Sequence, residues 1–288
     1  MLKLIQAIII TILLSTSTSA QIFKFSKEIS FAKYLQNKDQ IAEAEWVLHN
    51  VDTALLNSSE KDSLFFEIGW LAYNNKKLDT AAQFLQKVSS NDARYNQSIF
   101  FASYSNSFKS RYNNAYLILN KINASDSLLQ ELKQFELAGI SLLNKDYSGY
   151  QKHKSSFSYN SYILNQEEQN FSTYEKSIFY RKDKSPFIAG LLSTILPGAG
   201  KWYAEKKKQA IGALLPILSA GILMLEAYNK SGIADARFWI YGTVFTTFYI
   251  GNIWGSAMAV KVRNTELKKL YEGKILLDMQ IPLRKFFN

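Results

Sequence analysis

Residues 69–85 read GWLAYNNKKLDTAAQFL, a segment with two small residues, Gly69 and Ala81, twelve positions apart. Apolar and aromatic residues surround both positions, and the polar stretch 74–77 separates them. Small residues let two helices approach closely, and a short polar stretch is typical of the turn between them. The segment therefore predicts two antiparallel helices packed against each other.

The same spacing recurs on both sides of this segment. Ala32 and Ala44 are twelve residues apart, as are Ser103 and Ala115, and Ala44, Ala81 and Ala115 are separated by 37 and 34 residues. Apolar residues continue the inner face of each predicted second helix: Leu48 and Val51, Leu85 and Val88, Leu119 and Ile122. A recurrence close to 34 residues predicts helix pairs that stack on one another.

A fourth, degraded unit is predicted from Phe135 to Phe157. Ala138 takes the first small position, but Tyr150 replaces the second small residue. A large side chain at this position predicts looser or altered packing between the two helices of that pair.

The segment 69–85 resembles a tetratricopeptide repeat (TPR). The resemblance implies an all-α fold, with a TPR-like α-solenoid of helix pairs over residues 21–157 and a protein or peptide ligand on its concave side. An irregular helical bundle with chance spacing is the alternative. Residues 158–185 are predicted to be capping helices or a linker.

The N-terminus has the pattern of a signal peptide over residues 1–20. Lys3 precedes the apolar stretch 4–14, and the small residues 15–20 place a cleavage site before Gln21. The apolar stretch is too short to span a bilayer, although an uncleaved anchor is the alternative. Either reading predicts that the helix pairs are exported, and a composition typical of AT-rich bacteria places them in the periplasm at the inner membrane.

A membrane module is predicted over residues 186–264. Its apolar segments are 186–203, 209–228 and 238–260, of which the last two have the length of a spanning helix. The first is interrupted by Pro197-Gly198-Ala199-Gly200, because proline and glycine break helices. The fold class is therefore all-α, a TPR-like α-solenoid of helix pairs followed by a helical transmembrane module.

The positive charge of the chain is concentrated around these apolar segments. The net charge is +10, and residues 186–288 hold 13 Lys or Arg against 6 Asp or Glu. Basic clusters at 201–208 and 261–269 predict cytoplasmic ends, with loop 229–237 outside. Together with export of the helix pairs, this pattern favours three spans. The alternative is two spans, with both ends periplasmic and the first segment in the interface.

Small residues in the predicted spans favour close helix packing and self-association. Gly251 and Gly255 form a small-xxx-small motif, and Asn252 between them is expected to hydrogen-bond a neighbouring helix. Apart from Glu226 near an end, the predicted spans lack ionisable residues. Transporters usually need such groups within the membrane, so the pattern argues against a transporter. The basic tail, 265–288, is predicted to be a short amphipathic helix on an anionic membrane surface or a solvated tail.

The membrane module also resembles a known family. The residues that carry the resemblance are Pro197, Gly198, Gly200, Tyr203, Gly251, Asn252 and Gly255. They are similar to those of an uncharacterised bacterial membrane domain, DUF5683, and the Pro-Gly-x-Gly core is distantly similar to the two-span TM2 group. Lys201 stands where glutamine is common. The resemblance implies an integral membrane protein and no known activity.

No catalytic, cofactor-binding or metal-binding residues are predicted. Cysteine is absent, which excludes thiol chemistry and disulfides. The two histidines, His49 and His153, are expected on helix surfaces, and the adjacent pair Glu167 and Glu168 on a solvated face. The chain is therefore predicted not to be an enzyme, and the charge pattern does not favour nucleic acid as a partner.

Two functions remain as expectations. The first is a membrane-anchored scaffold or adaptor that binds a protein or peptide partner on its repeats. The alternative is an accessory of a channel, insertion or secretion system, in which the membrane module acts and the repeats recruit. The predicted partners are a protein or peptide and membrane lipid.

Overall fold

The computed structural model describes residues 25–123 and 126–287, and the regular elements in these ranges are helices. The predicted all-α class is thus confirmed, whereas the predicted signal peptide, residues 1–20, lies outside the described residues. The chain divides into two compact units. Unit 1 comprises the described residues up to Glu175 together with those from Ile275, and unit 2 comprises Lys176–Lys274.

Unit 1 is built from successive helix pairs. The pairs are α1 (residues 25–37 in the described part) with α2 (Ile41–His49), α3 (Ser58–Asn74) with α4 (Leu78–Leu85), α5 (Tyr95–Phe108) with α6 (Tyr112–Leu119), and α7 (Ser127–Leu143) with α8 (Tyr147–Lys154). A further helix, α9 (Asn165–Glu175), follows the fourth pair. Each helix packs against the next along the chain from α2 to α8. This sequential contact is the arrangement that the repeated spacing predicts.

The two helices of each pair are joined by the same turn. One residue in each turn has a left-handed backbone: Asp39 (φ 62°), Lys76 (φ 60°), Ser110 (φ 58°) and Lys145 (φ 59°). The next residue donates its N–H to a carbonyl five positions earlier, as from Lys77 to Ala72 at 2.9 Å. This hydrogen bond satisfies a carbonyl at the end of the first helix, so that helix ends there and the chain reverses.

The small residues of the predicted repeats lie where the two helices of a pair touch. Ala32, Ala44, Ala81, Ser103 and Ala115 are all at most 3% exposed. A Cβ at Gly69 would lie 2.6 Å from the Leu85 side chain, and the Ser103 hydroxyl donates to the Ala115 carbonyl at 2.8 Å. A larger side chain at these positions would push the helices apart.

The fourth pair has Tyr150 where the other pairs have a second small residue. Tyr150 is nevertheless fully buried, as is Ala138. The fourth pair therefore packs around a large aromatic ring instead of a small residue.

Unit 2 contains four further helices and a short π-helical turn. These elements are the turn Lys176–Tyr180, α10 (Pro186–Ile195), α11 (Ala199–Tyr203), α12 (Lys207–Ser231) and α13 (Ala236–Phe287). The last residues of α13, from Ile275 onward, belong to unit 1.

Helices α12 and α13 form an antiparallel hairpin. Gly221 approaches Phe245, Met224 approaches Gly242, and the rings of Tyr228 and Phe238 lie 5.9 Å apart. In these pairs one residue number rises as the other falls, which is the register of two antiparallel helices. The start of α12 therefore lies beside the end of the apolar part of α13.

Among the described residues, one helix, α12, is long and apolar enough to cross a membrane. At 1.5 Å per residue, its 25 residues reach about 37 Å, more than the hydrocarbon thickness of about 30 Å. Large apolar side chains on α12 and on the first part of α13 are exposed, among them Leu215, Ile222, Trp239, Ile250 and Trp254. This surface is suited to lipid contact.

Candidate functional site

A set of contacts between distant parts of unit 1 joins the helix pairs to the end of α13. We call residues 275–287 the tail segment. Its named contacts fall on the first helices of the pairs, α3, α5 and α7, and on α9. We call this the inner surface, and define it by Tyr73, Phe100, Phe101, Gly139, Glu167 and Phe171.

One apolar face of the tail segment packs against the inner surface. Ile275, Met279 and Leu283 are fully buried and recur every four residues, so they lie on one side of the helix. Leu277, between them in sequence, is 55% exposed. A Cβ at Gly139 would lie 2.7 Å from the Met279 sulfur, so glycine at this position makes room for the tail segment.

The end of the tail segment packs against aromatic rings of α5. The Phe287 ring lies 5.5 Å from the Phe100 ring and 6.1 Å from the Phe101 ring. Both rings of α5 are fully buried, and Phe101 also touches Trp70 and Tyr73 edge-on. Aromatic contacts of this kind add to the energy of apolar burial.

Polar contacts fix the register of the tail segment. Asp278 accepts hydrogen bonds from Asn170 at 3.0 Å and from the Tyr174 hydroxyl at 2.9 Å. Gln280 donates its amide to the Tyr73 hydroxyl at 2.7 Å. Lys285 pairs with Glu167 at 3.1 Å. A shift by one residue along the helix would lose all of these contacts.

Burial on the inner surface shifts the protonation of its polar groups. Burial raises the pKa of Tyr73, while hydrogen bonds with Gln280 and Arg284 oppose this shift. Glu136 on α7 is fully enclosed, and burial raises the pKa of its carboxyl well above the usual value. Its Oε1 atom accepts no hydrogen bond from the described residues. A neutral carboxyl is the form that such a site favours.

The expectation that Glu167 and Glu168 lie on a solvated face is wrong. The two residues are 4% and 0% exposed. Glu168 accepts a hydrogen bond from the Tyr159 N–H at 2.8 Å, and burial raises the pKa of its carboxyl to about 7. Neighbouring residues on a helix diverge by about 100°, but this geometry does not show which other elements cover them.

His153 is also buried, contrary to its predicted surface position. Its Nδ1 lies 2.7 Å from Gln134 Oε1, and its Nε2 lies 3.3 Å from the Tyr116 hydroxyl. Burial lowers the pKa of the imidazole, so the neutral ring links α6, α7 and α8. Within the described residues, no group of three metal-ligating side chains gathers around it or elsewhere.

Unit 1 also has a pocket between α6 and α7. Its volume is about 410 Å³, and its lining includes Tyr112, Tyr116, Leu117 and Ile140. Leu117 is 65% exposed. This pocket is distinct from the inner surface, because it uses the second helix of the third pair.

In unit 2, the predicted Pro197–Gly200 break reverses the chain. Gly198 has a left-handed backbone (φ 89°), and a Cβ on it would lie 2.7 Å from the Ala210 carbonyl oxygen. A Cβ on Gly200 would lie 2.0 Å from the Ala189 carbonyl oxygen. Helices α10 and α11 thus pack with their backbones in contact, which requires glycine at Gly198 and Gly200.

The two ends of this first apolar segment meet. Lys184 donates to the Tyr203 carbonyl at 2.7 Å, and the Ser185 N–H donates to the Tyr203 hydroxyl at 3.3 Å. Asn264, at the far side of the apolar part of α13, donates to the Lys184 carbonyl at 2.9 Å. The entry and exit of the apolar region therefore lie at the same end of unit 2.

The remaining motif residues of unit 2 lie on α13. A Cβ on Gly255 would lie 3.5 Å from Lys201 Cε, whereas Gly251 borders open space. Asn252 is 3% exposed, and its side-chain amide has no hydrogen-bond partner among the described residues. The structure therefore lacks the interhelical hydrogen bond expected of Asn252. One turn further on, Ser256 accepts a hydrogen bond from Ser193 at 2.7 Å.

Sequence reasoning missed the tail segment as part of the site. Its signal was present, because Ile275, Met279 and Leu283 recur every four residues. The basic residues around them, Lys274, Arg284 and Lys285, favoured a lipid surface instead. Periodicity identifies the buried face of a helix but not the surface that covers it.

No protein-family model, curated protein or solved structure matches this chain. The resemblances to the tetratricopeptide repeat and to DUF5683 thus depend on the sequence motifs alone. The structure itself establishes an all-α chain of sequential helix pairs, followed by a unit with one helix long and apolar enough to cross a membrane.

Proposed function

We propose that this protein is a membrane-anchored scaffold whose TPR-like helix pairs bind a protein or peptide partner. In this proposal, unit 2 anchors the chain in the bacterial inner membrane and the helix pairs lie in the periplasm. The observation that carries the proposal is the inner surface, which already holds a helix by one apolar face and three sets of polar contacts.

The inner surface has the properties of a recognition surface. It combines aromatic rings with buried polar groups that fix the register of a bound helix. Helices laid into apolar grooves by residues spaced three or four apart are a recurring mode of protein recognition. Stacked helix pairs provide such a surface because each first helix adds one more ridge to it.

Anchoring is supported by the length and exposure of α12. Most of its apolar side chains face outward, where a soluble protein would present polar groups. Replacing Leu218 and Ile222 by arginine should release the chain from membranes on carbonate extraction, because a charge within the hydrocarbon is unfavourable. Replacing Lys207 and Lys208 by arginine is the matched control and should leave the chain in the membrane fraction.

Partner binding is testable by site-specific photo-crosslinking in cells. A photoreactive phenylalanine analogue at Trp70, beside Phe101, should give one discrete adduct with another protein. The same analogue at Leu117, in the pocket between α6 and α7, is the control for non-specific contact. Equal adducts from both positions, or none from Trp70, would contradict binding at the inner surface.

A second candidate function is an accessory role of the membrane module in a channel, insertion or secretion system. The observation that favours it is Asn252, a buried amide without a partner in the described residues, one turn from the Ser193–Ser256 hydrogen bond. A polar group inside an apolar helix reduces stability. Such a group is therefore often retained because it serves a function.

A further inference from the structure

We propose that the tail segment is an exchangeable ligand of the inner surface, and that the partner enters as an amphipathic helix that displaces it. This inference rests on the proposed function and names the class of partner. The inner surface would be closed while the tail segment is seated, and open when it leaves.

The seated tail segment defines what the partner must present. Three aliphatic side chains spaced by four residues fill the positions of Ile275, Met279 and Leu283. An aromatic residue must follow one turn later, to pack on Phe100 as Phe287 does. The middle side chain packs against Gly139. Glycine is needed there because a Cβ would collide with the Met279 sulfur.

Charge complementarity favours a partner helix with a basic C-terminal end. Lys285 pairs with Glu167, whose carboxylate is almost fully enclosed. The second carboxyl oxygen of Glu167 accepts no hydrogen bond from the described residues. An enclosed carboxylate binds a cation strongly and disfavours an acidic side chain at the same place.

The tail segment has features of a ligand that can leave. It is the last part of α13, and its outer face is open among the described residues, since Leu277 is 55% exposed. Pro282 lies inside it and has no N–H to donate to the Asp278 carbonyl, so its last turns are weakened. The covalent tether keeps its local concentration high, so a free helix competes only when the tail segment is unseated or the free helix binds more tightly.

The first experiment measures binding of a labelled peptide with the sequence of residues 275–288 (ILLDMQIPLRKFFN) to the full chain in detergent micelles. Leu283→Asp should unseat the resident tail segment, because it places a charge on the buried face. Leu277→Asp, on the exposed face, is the matched control. Fluorescence anisotropy should show at least about tenfold tighter peptide binding to Leu283→Asp than to the wild type or Leu277→Asp.

A second variant keeps the test valid if Leu283→Asp fails to fold. The chain has no cysteine, and a Cβ on Gly139 would lie 2.8 Å from Met279 Cγ. The pair Gly139→Cys with Met279→Cys is therefore placed to form a disulfide that locks the tail segment. The peptide for this variant carries Met279→Ala, because a side chain at position 139 leaves no room for the methionine sulfur. The oxidised protein should exclude this peptide, and the same protein after reduction should bind it.

A charge exchange then tests the register. In the Leu283→Asp chain, Glu167→Lys should weaken peptide binding by at least about threefold, and Lys285→Glu in the peptide should restore it. Peptide binding that is equal in locked and unlocked protein, or absent from a folded, reduced protein, would overturn the proposal.

The same lock separates this inference from the proposed function. If crosslinking from Trp70 persists when the disulfide is closed, a partner binds without displacing the tail segment, and only the exchange is wrong. If the peptide exchanges but Trp70 gives no adduct in cells, the exchange stands and the scaffold function fails.

Discussion

Single buried carboxyl groups make the stability of unit 1 depend on pH. Burial raises the pKa of Glu168 to about 7, above the usual 4.5. The folded protein then holds a proton that the unfolded chain releases between these values. Stability from this group is complete below about pH 4.5 and is lost as the pH rises through 7.

We predict that Glu168→Gln removes the part of this dependence that Glu168 contributes, while Glu136, whose carboxyl pKa burial also raises, keeps its own part. Between pH 5 and 8 the wild type should lose about 2 kcal/mol of unfolding free energy through Glu168, and the variant should not. Urea unfolding at both pH values measures this, with Glu43→Gln, an exposed position, as the control. His153 contributes the opposite slope, because its lowered pKa disfavours the folded state as the pH falls below about 6.5. An unchanged slope in Glu168→Gln would contradict the assignment.

Asn252 distinguishes the two candidate functions at the level of one side chain. Its buried amide lacks a partner in the described residues, so Asn252→Leu should stabilise unit 2 by about 1–3 kcal/mol. Thermal unfolding in detergent measures the gain, and Gly251→Ala, at an open position, is the neighbouring control. If the Asn252→Leu chain accumulates normally but cells lose the function that the wild-type chain provides, the membrane module is the active part. Retained function supports the scaffold.

At the scale of elements, the repeated turn explains why the helix pairs form at regular intervals. Each turn contains a residue with a left-handed backbone, and none of the four is glycine. Such a backbone is unfavourable for a residue with a Cβ by roughly 1 kcal/mol. The turns are therefore points where a glycine improves stability.

Lys145→Gly should stabilise unit 1 by about 0.5–1 kcal/mol, because glycine adopts the left-handed backbone without penalty. Lys152→Gly is the matched control: the same exchange inside α8 should destabilise by about 1 kcal/mol. Opposite signs in the two melting curves confirm the turn. A loss at both positions would mean that the Lys145 side chain itself stabilises the pair.

The spacing of small residues predicts the helix pairs but not the burial of every side chain in them. The helix pairs could be predicted from small residues twelve positions apart, because close helix packing depends on local residue size. The burial of Glu168 and His153 did not follow, because it depends on contacts with other elements, Tyr159 for Glu168 and Gln134 and Tyr116 for His153. Local spacing predicts which helices pair but not which polar residues they enclose.

At the scale of the whole molecule, contacts between the beginning and the end of the apolar region constrain the membrane topology. In unit 2, Lys184 contacts Tyr203 and Asn264, so the apolar region begins and ends at one side. In unit 1, the tail segment returns to α9, the helix that precedes unit 2. If this region spans a membrane with these contacts, the chain crosses it an even number of times between Lys184 and Asn264. The geometry thus favours the two-span alternative over the three-span arrangement.

We predict that the helix pairs and the tail segment lie on one side of the membrane, and loop 229–237 on the other. Because the chain has no cysteine, single cysteines report topology directly. Tyr162→Cys and Leu277→Cys should react alike with a membrane-impermeant maleimide, and Ile233→Cys should react oppositely. All three positions are well exposed. Opposite labelling at 162 and 277 would restore three spans.

The same labelling decides between two conflicting sequence signals. A signal peptide predicts the helix pairs outside, whereas basic residues at 201–208 and 261–269 predict their side of unit 2 to be cytoplasmic. Labelling of Tyr162→Cys in intact cells supports the periplasmic location proposed above. Labelling of Ile233→Cys alone would place the helix pairs in the cytoplasm.

The amino-acid sequence by itself determined the helical class, the repeated pairs and the apolar segments of unit 2. These properties depend on residue size and hydropathy at short spacing, which a chain carries before it folds. Only the tertiary structure decided that the first apolar segment folds back on itself and that the tail segment fills the inner surface. Both depend on contacts across many residues, such as Lys184 with Asn264 and Tyr73 with Gln280, and no local pattern specifies them.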